Sequence, residues 1–429
     1  MNFNKKGNIL FIPLAVFILS GLFMWNGAAF ATDNETYKNL KLFNEVLNLV
    51  EKNYVEEVDP EVVIRGAING MMKALDPHST FMTAEQYEDL KIDTKGTFSG
   101  LGIVITIQDD MITVVAPIED KPAFMAGVKA GDKIIKIDGE ATKDFTIMDA
   151  VHALRGERGT KVTITVIRED EDGSIDFEIV RDLIEIKSVK YRTYYNDIGY
   201  IRISNFQETT TDELNDAFKE MKLKDAALKG IVLDLRNNPG GLLDQSIKVS
   251  DMFLKSGLIV SSKGREEGSE YTYKANDDGF EPECPVIILI NSGTASAAEI
   301  VSGALHDNKR AVLLGTQTFG KGSVQTVVPL KDGSALKLTV AKYYTPAGES
   351  IQAKGITPDI AVEYIKPVAT GKGESQRIRE KDLEGHIKGE EEVEQEVSII
   401  GEETENLKKD NQLKNAIDLL RNWDIFKKI

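Results

Sequence analysis

Apolar residues recur at three- and four-residue steps through Leu40, Leu42, Phe43, Val46, Leu47, Val50 and Tyr54, and again through Val62, Val63, Ile64, Ala67, Ile68, Met71, Met72 and Leu75. Each stripe fits one face of an α-helix. The spacing therefore predicts a helical segment over 36–95, with its second stripe ended by Asp76-Pro77, because proline lacks an N–H and restricts the residue before it. From 96 to 182 the period changes. Glycines multiply and short β-rich runs follow at 102–107, 111–115, 133–137 and 161–167, with a helical stretch at Thr146–Leu154. This spacing predicts a small, partly open β-barrel with one or two helices. From 183 to 365 strand and helix patterns alternate. Tyr200–Ile203, Gly230–Leu235 and Pro285–Ile290 read as buried strands, and Thr209–Met221 and Leu243–Leu254 as helices. Alternation of this kind implies an α/β layer around a largely buried sheet. Residues 366–406, rich in Gly, Glu and Lys, read as an acidic low-complexity linker. A helical stripe resumes over 407–429 in Leu413, Ile417, Leu420, Trp423 and Phe426. The expected fold class is thus multidomain α/β: an α/β core, a small β-barrel upstream of it, and helical segments at both ends.

The first 31 residues read as an export signal. Lys5 and Lys6 supply positive charge, Ile9 to Trp25 is an uncharged, mostly apolar run, and Ala29-Phe30-Ala31 offers an A-x-A cleavage site. The alternative is an uncleaved membrane anchor, since the run approaches the ~20 residues that span a bilayer. Either way the chain is expected to work in a periplasmic or other extracytoplasmic compartment, anchored to the membrane if the signal is retained. A net charge of −17 argues against nucleic acid as a partner. The single cysteine, Cys284, excludes an internal disulfide and a cysteine-based metal site. The four histidines, His78, His152, His306 and His386, show no HExxH spacing, so neither a metal nor a cofactor is expected. The apolar stripes of the N-terminal arm and the C-terminal helix have no obvious partners in the sequence, which suggests a homodimer.

Chemistry enters first at Ser99-Gly100-Leu101-Gly102-Ile103. Glycines there would let backbone N–H groups converge on one point, a nest for a terminal carboxylate, with a ligand strand adding beside Ile103–Ile107. Together with Pro122-Ala123-Phe124-Met125-Ala126-Gly127-Val128 and Gly131-Asp132-Lys133-Ile134-Ile135-Lys136-Ile137-Asp138-Gly139, the segment resembles a PDZ domain. The resemblance implies a peptide-binding site at Gly100, Leu101, Gly102, Ile103 and Val151. The groove implied by Leu101, Ile103 and Val151 favours protein partners with apolar C-termini.

A second candidate is Asn291-Ser292-Gly293-Thr294-Ala295-Ser296-Ala297-Ala298-Glu299, which follows the most apolar strand and opens a helix. A hydroxyl at Ser296 would feel the positive end of the helix dipole. Ser296-x-x-Glu299 is also a capping box, and spacing alone favours that structural reading. There is no G-x-S-x-G elbow. His306 lies ten residues along the same helix and should point elsewhere, so a Ser-His-Asp triad has little support. Lysine is the alternative base. Phe319-Gly320-Lys321-Gly322-Ser323-Val324-Gln325 follows an apolar strand, Ala311–Gly315. A lysine is protonated at neutral pH, but burial without a counter-ion lowers its pKa by up to ~3–5 units and would free the amine to take a serine proton. Taken alone, the motif favours an ordinary turn with a solvated lysine. Two decoys are set aside. Ser334-Ala335-Leu336-Lys337 fits S-x-x-K, yet its surroundings alternate like a strand and would point the pair to opposite faces. Cys284 reads as a partly buried, inert thiol.

The Ser296 and Lys321 segments, with Tyr343-Tyr344-Thr345-Pro346-Ala347-Gly348 and Gly355-Ile356-Thr357-Pro358-Asp359, resemble the carboxy-terminal processing (tail-specific) protease family over roughly 36–362. The resemblance implies a serine endopeptidase that recognises protein C-termini through its PDZ domain and cleaves through an acyl-enzyme. It implies Ser296 as nucleophile, Lys321 as general base and Gln325 as the residue that orients the lysine; a helical turn there would put Lys321 and Gln325 on one face. The oxyanion hole would use the Ala297 N–H and the Asn238-Pro239-Gly240-Gly241 loop, with the choice between Gly240 and Gly241 open. Family members carry an arginine at the place of Arg155, which implies a regulatory contact with the protease layer when peptide binds. The alternative function is a non-catalytic PDZ scaffold. A chymotrypsin-like exported protease is a further rival, but that architecture usually places the protease first and needs a His-Asp pair.

Overall fold

The computed structural model describes residues 33–169, 171, 173–221, 228–279, 281–365, 407 and 409–426. The export signal and the whole of the acidic linker read from the sequence lie outside them. The chain divides after Phe81 into two compact units.

The first unit contains helices α1 (Asp33–Asn53) and α2 (Pro60–Lys73). Helix α2 starts where Asp59 accepts the Glu61 N–H at 2.8 Å and proline occupies the first turn, where its missing N–H costs nothing. The expected stripes are present, and their apolar side chains Leu40, Leu42, Phe43, Val46, Val62, Met71 and Leu75 are exposed. A short strand, β1 (Thr80–Met82), lies at the division.

The second unit opens with α3 (Ala84–Lys95). A reciprocal cap between Thr83 and Gln86 starts it, and Gly96, in the left-handed region at φ 70°, ends it. A barrel follows: β2 (Thr97–Gly100), β3 (Ile103–Gln108), β4 (Met111–Pro117), α4 (Pro122–Ala126), β5 (Lys133–Ile137), β6 (Glu140–Ala141), α5 (Ile147–Leu154), β7 (Lys161–Ile167), β8 (Ser174–Val180) and β9 (Asp182–Glu185). Its main sheet runs β3-β4-β5-β7-β8, and β2 pairs with β9 where the chain enters and leaves. Leu101, Ile112, Val114, Ile134, Val162, Ile164 and Val166 form its own core.

The α/β layer continues with β10 (Val189–Tyr194), β11 (Ile198–Ile203), α6 (Thr210–Glu220), β12 (Gly230–Asp234), α7 (Leu243–Asp251), β13 (Leu258–Gly264), β14 (Glu270–Lys274), β15 (Val286–Ile290), α8 (Ala297–Asp307), β16 (Ala311–Gly315), β17 (Ser323–Pro329), β18 (Ala335–Tyr344), β19 (Ile360–Ala361), α9 (Asn411–Arg421) and α10 (Trp423–Phe426). The central sheet has the order β10-β11-β12-β15-β16-β19 and is parallel except for β10. Alternate side chains go to opposite faces. Ile201, Ile203, Leu233, Ile288 and Ile290 pack toward the cluster that includes α6, α7 and α8. Tyr200, Val232, Ile287, Leu289 and Leu314 face Leu413, Ala416, Ile417 and Leu420 of α9. Both faces are covered, which is why these strands read as unbroken apolar runs.

Two expectations need correction. The stripe of α9 is not an unpartnered dimer surface, because its leucines and isoleucine are buried against the chain's own sheet. Nor do Lys321 and Gln325 share a helical turn: Ser323–Pro329 is a strand, paired antiparallel with β18 from Ser323↔Lys342 to Pro329↔Ala335. Its β-branched residues Val324, Thr326, Val327 and Val328 suit a pleated surface better than a helix. Ser334 and Lys337 lie at and on β18, as the strand reading required.

Candidate active site

Strands β12, β15 and β16 are parallel, so the loops after Leu235, Ile290 and Gly315 emerge at one edge of the sheet, where α/β layers commonly place their sites. The first two loops are tied together. Asn237 N–H donates to Asn291 Oδ1 and Asn291 Nδ2 donates back to Asn237 Oδ1, each at 2.9 Å. Thr294 Oγ1 donates to the Leu235 carbonyl at 2.8 Å, and Ala295 N–H to the Asn238 carbonyl at 2.9 Å. These bonds hold Ser296 at φ 54°, ψ −116°, a conformation that costs a non-glycine residue about 1–3 kcal/mol. Ser296 therefore sits on a sharp strained turn between strand and helix, although the sequence lacks the glycine-flanked elbow motif.

The loop after β12 closes on this turn through Gly240. At φ 104°, an added Cβ would stand 2.8 Å from Ser296 Cβ and 3.0 Å from the Ala297 nitrogen, so only glycine fits. The Gly240 N–H donates to Oδ1 of buried Asn238 at 2.9 Å, and Asn238 Nδ2 donates to the Ile203 carbonyl. Gly241 is turned toward Phe206, whose backbone an added Cβ would strike at 2.2 Å.

The third loop carries half-buried Lys321. It meets the first turn at Glu299, which is completely buried. One carboxylate oxygen, Oε2, accepts the Ser296 and Lys321 N–H groups, each at 2.9 Å. The two backbone nitrogens therefore stand no more than twice that distance apart. The other oxygen, Oε1, accepts Thr318 Oγ1 at 2.5 Å and the Gly320 N–H at 2.8 Å. The capping bond anticipated for Glu299 is present, but it is one of four, and three come from another loop. Gln325, on β17, gives its amide to Ser323 Oγ at 2.7 Å. Phe319, between buried Thr318 and Gly320, is exposed beside this edge.

The barrel presents a pocket lined by Phe98, Gly100, Leu101, Gly102, Ile103, Ile105, Val151, Leu154 and Arg155. It contains all five residues chosen from the sequence for peptide binding. The Arg155 guanidinium stacks over Phe98 at 4.8 Å and donates to Asp89 of α3 at 3.0 Å. Its ion pair is thus with α3 rather than with the α/β layer. Behind the pocket, buried Arg181 donates to the Ala153, Leu154 and Lys161 carbonyls and to Thr160 Oγ1, closing the C-terminal end of α5.

Sequence reasoning missed a charged cluster under the Gly240 loop. Buried Arg236 makes paired bonds to Asp234 (3.0 and 2.8 Å) and to Asp410 (3.0 and 2.7 Å) and a further bond to Gln412. Burial opposes the charge on Asp234, but Arg236 and Arg202 outweigh it and hold the carboxyl below its ordinary value. Tyr200, which donates to Asp234 at 2.8 Å, is pushed upward by burial and by that carboxylate. The one available signal was a charged pair at the end of an otherwise apolar strand, Leu233-Asp234-Leu235-Arg236. His306 is committed elsewhere, between Asp307 at 2.9 Å and Asp359 at 3.1 Å. Cys284 is partly buried, and burial pushes its thiol up.

Residues 197–362 match Peptidase family S41, residues 99–179 a PDZ domain, and residues 26–86 the activating protease CtpB N-terminal domain. The chain is 46% identical to a carboxy-terminal-processing protease of Bartonella bacilliformis, over 96% of this chain and 95% of that protein. It is 40% identical to the carboxy-terminal processing protease CtpA of Bacillus subtilis, over 75% and 68% of the two chains. Among solved structures it is similar to a photosystem II D1 C-terminal processing protease (30% identity, 75% of this chain and 92% of that one, TM-score 0.44). With a relative this similar along nearly its whole length, the chain belongs to the carboxy-terminal processing proteases, serine peptidases of family S41 that carry a PDZ domain.

Proposed function

We propose that Ser296 is the nucleophile of this protease and Lys321 its general base. The observation that carries the assignment is the shared acceptor: the Ser296 and Lys321 backbones hydrogen-bond to the same oxygen of Glu299. Ser296 Oγ attacks the scissile carbonyl and passes its proton to Lys321 Nζ, and the resulting ammonium then protonates the leaving nitrogen, returning the amine to its neutral form. Water, activated by the same amine, releases the acyl group. The oxyanion would lie against the Ala297 N–H and the Gly240–Gly241 backbone. Gly240 is the glycine that abuts Ser296, and its amide would have to share or release its bond to Asn238 to take part. Gln325, with its amide held by Ser323, is the candidate for orienting the lysine.

The finer features rest on separate observations. The apolar lining of the PDZ pocket supports substrates with apolar C-termini. The exposed stripes of α1 and α2 support a homodimer through the N-terminal arm. The charged, apolar and small-residue sequence of 1–31 supports export, with membrane association if that segment is retained. The test of the assignment uses the full-length chain and a quenched-fluorescent peptide ending in two valines. Ser296→Ala and Lys321→Ala should each lower kcat by about 10³-fold or more while peptide affinity at the PDZ pocket stays unchanged. Full activity in either variant overturns the assignment.

A further inference from the structure

Resting on the Ser296/Lys321 reading, we propose that Glu299 is a positioning residue that sets the separation of nucleophile and base by gripping both backbones at once. Its side chain lies wholly out of water on the first turn of α8. Four donors converge on it: the N–H groups of Ser296, Gly320 and Lys321 and the hydroxyl of Thr318. A carboxylate accepts only, with room for about four bonds, so its capacity matches this set of donors. No helix cap requires this. One bond, from Ser296, satisfies the capping role, and burying a carboxylate for that alone would be costly. The other three bonds come from the loop after β16 and fasten it to the nucleophile turn. Thr318 extends the linkage, since its Oγ1 also accepts the Ile356 N–H at 2.7 Å. Ser296 holds its strained backbone and Lys321 its place because both answer to one rigid group, rather than through any contact of Glu299 with substrate.

Glutamine cannot reproduce this arrangement. If its amide nitrogen takes the place of Oε1, the Thr318 hydroxyl can turn to accept, but the Gly320 N–H faces another donor. If the nitrogen takes the place of Oε2, the Ser296 and Lys321 N–H groups both lose their acceptor. Glutamine therefore preserves volume and loosens the base loop.

The test compares full-length Glu299→Gln with the wild type on the same quenched-fluorescent peptide, at 10 °C and 30 °C, with thermal unfolding monitored separately. Displacement of the amine by about 1 Å should lower kcat about 100-fold at both temperatures, with KM and PDZ-peptide affinity within twofold. The rate at which a fluorophosphonate phosphonylates Ser296, displacing fluoride, should fall in parallel. A purely structural role would lower the unfolding temperature and leave kcat at 10 °C intact, and that result overturns the proposal. So does a rise in KM with kcat preserved. If Glu299→Gln does not fold, Glu299→Asp, which keeps the charge but withdraws it by one methylene, is judged by the same criteria. Ser296→Ala and Lys321→Ala run in parallel: activity in those variants would sink the Ser/Lys assignment itself, a different outcome from an active Glu299 variant.

Discussion

Removing the Asp410 carboxylate should weaken the protease without undocking its C-terminal helix. In Asp410→Ala the buried Arg236 guanidinium loses two of its bonds, at 3.0 and 2.7 Å, and keeps those to Asp234 and Gln412. Asp410 also caps α9 by accepting the Leu413 N–H at 3.0 Å. Breaking a buried ion pair from one side typically costs 3–5 kcal/mol, and because the Asp410 side chain is 22% exposed the lower end applies, about 3 kcal/mol. Burial of Leu413, Ile417 and Leu420 contributes about 6 kcal/mol to docking. The apolar face therefore wins, and the helix stays in place while Arg236 loosens. Asp410→Asn keeps the cap and one acceptor and should cost only about 1–2 kcal/mol. Urea titration followed by the fluorescence of Trp423, in a Trp25→Phe background, reads the loss where it occurs. Since Arg236 directly precedes the Asn237–Gly241 loop, kcat should fall about tenfold in Asp410→Ala, a change of about 1.4 kcal/mol in the barrier. A loss of less than 1 kcal/mol in stability, or a Trp423 signal already that of the unfolded chain in buffer, would refute this reasoning.

Gly240→Ala should lower kcat about 100-fold with peptide affinity unchanged, because the new methyl meets Ser296 Cβ at 2.8 Å; steady-state kinetics beside fluorescence anisotropy of a labelled peptide decide it. Arg181→Lys cannot bridge the same four acceptors and should weaken peptide binding at the PDZ pocket about tenfold, with kcat preserved at saturating substrate. The His306 imidazole is held above its ordinary value: burial acts the other way, but Asp307 and Asp359 prevail. Its stabilising contribution is therefore full below about pH 6.5 and is lost as pH rises through the raised folded value. The urea midpoint should fall across that interval and His306→Gln should flatten the profile; an unchanged slope counts against the clamp.

Much of the molecule was legible along the chain. Period-2 runs such as Lys161–Ile167 and continuous apolar runs such as Val286–Ile290 became strands, because side-chain alternation and two-sided burial write themselves into composition. Strand β8 went unread although Ile175, Phe177 and Ile179 alternate with Asp176 and Glu178, the same period-2 signal of a half-buried strand. Strand β17 was mistaken for a helical turn because Lys321 and Gln325 are four apart, a spacing that means one face only if the chain is helical.

The sequence by itself determined most of the elements and their order, since each depends on neighbours within a few positions, whereas the peptide-pocket residues and the two residues proposed to do the chemistry came from a family resemblance, local spacing alone having left them open. Tertiary structure alone decided that the α9 stripe covers the sheet, that Arg236 reaches Asp410 across 174 residues of chain, and that Glu299 joins two loops rather than merely capping one helix. The physical reason is that a buried charge or an apolar stripe only declares a need to be satisfied. Which distant group satisfies it depends on how the strands of the sheet are ordered, and local periodicity carries no record of that order.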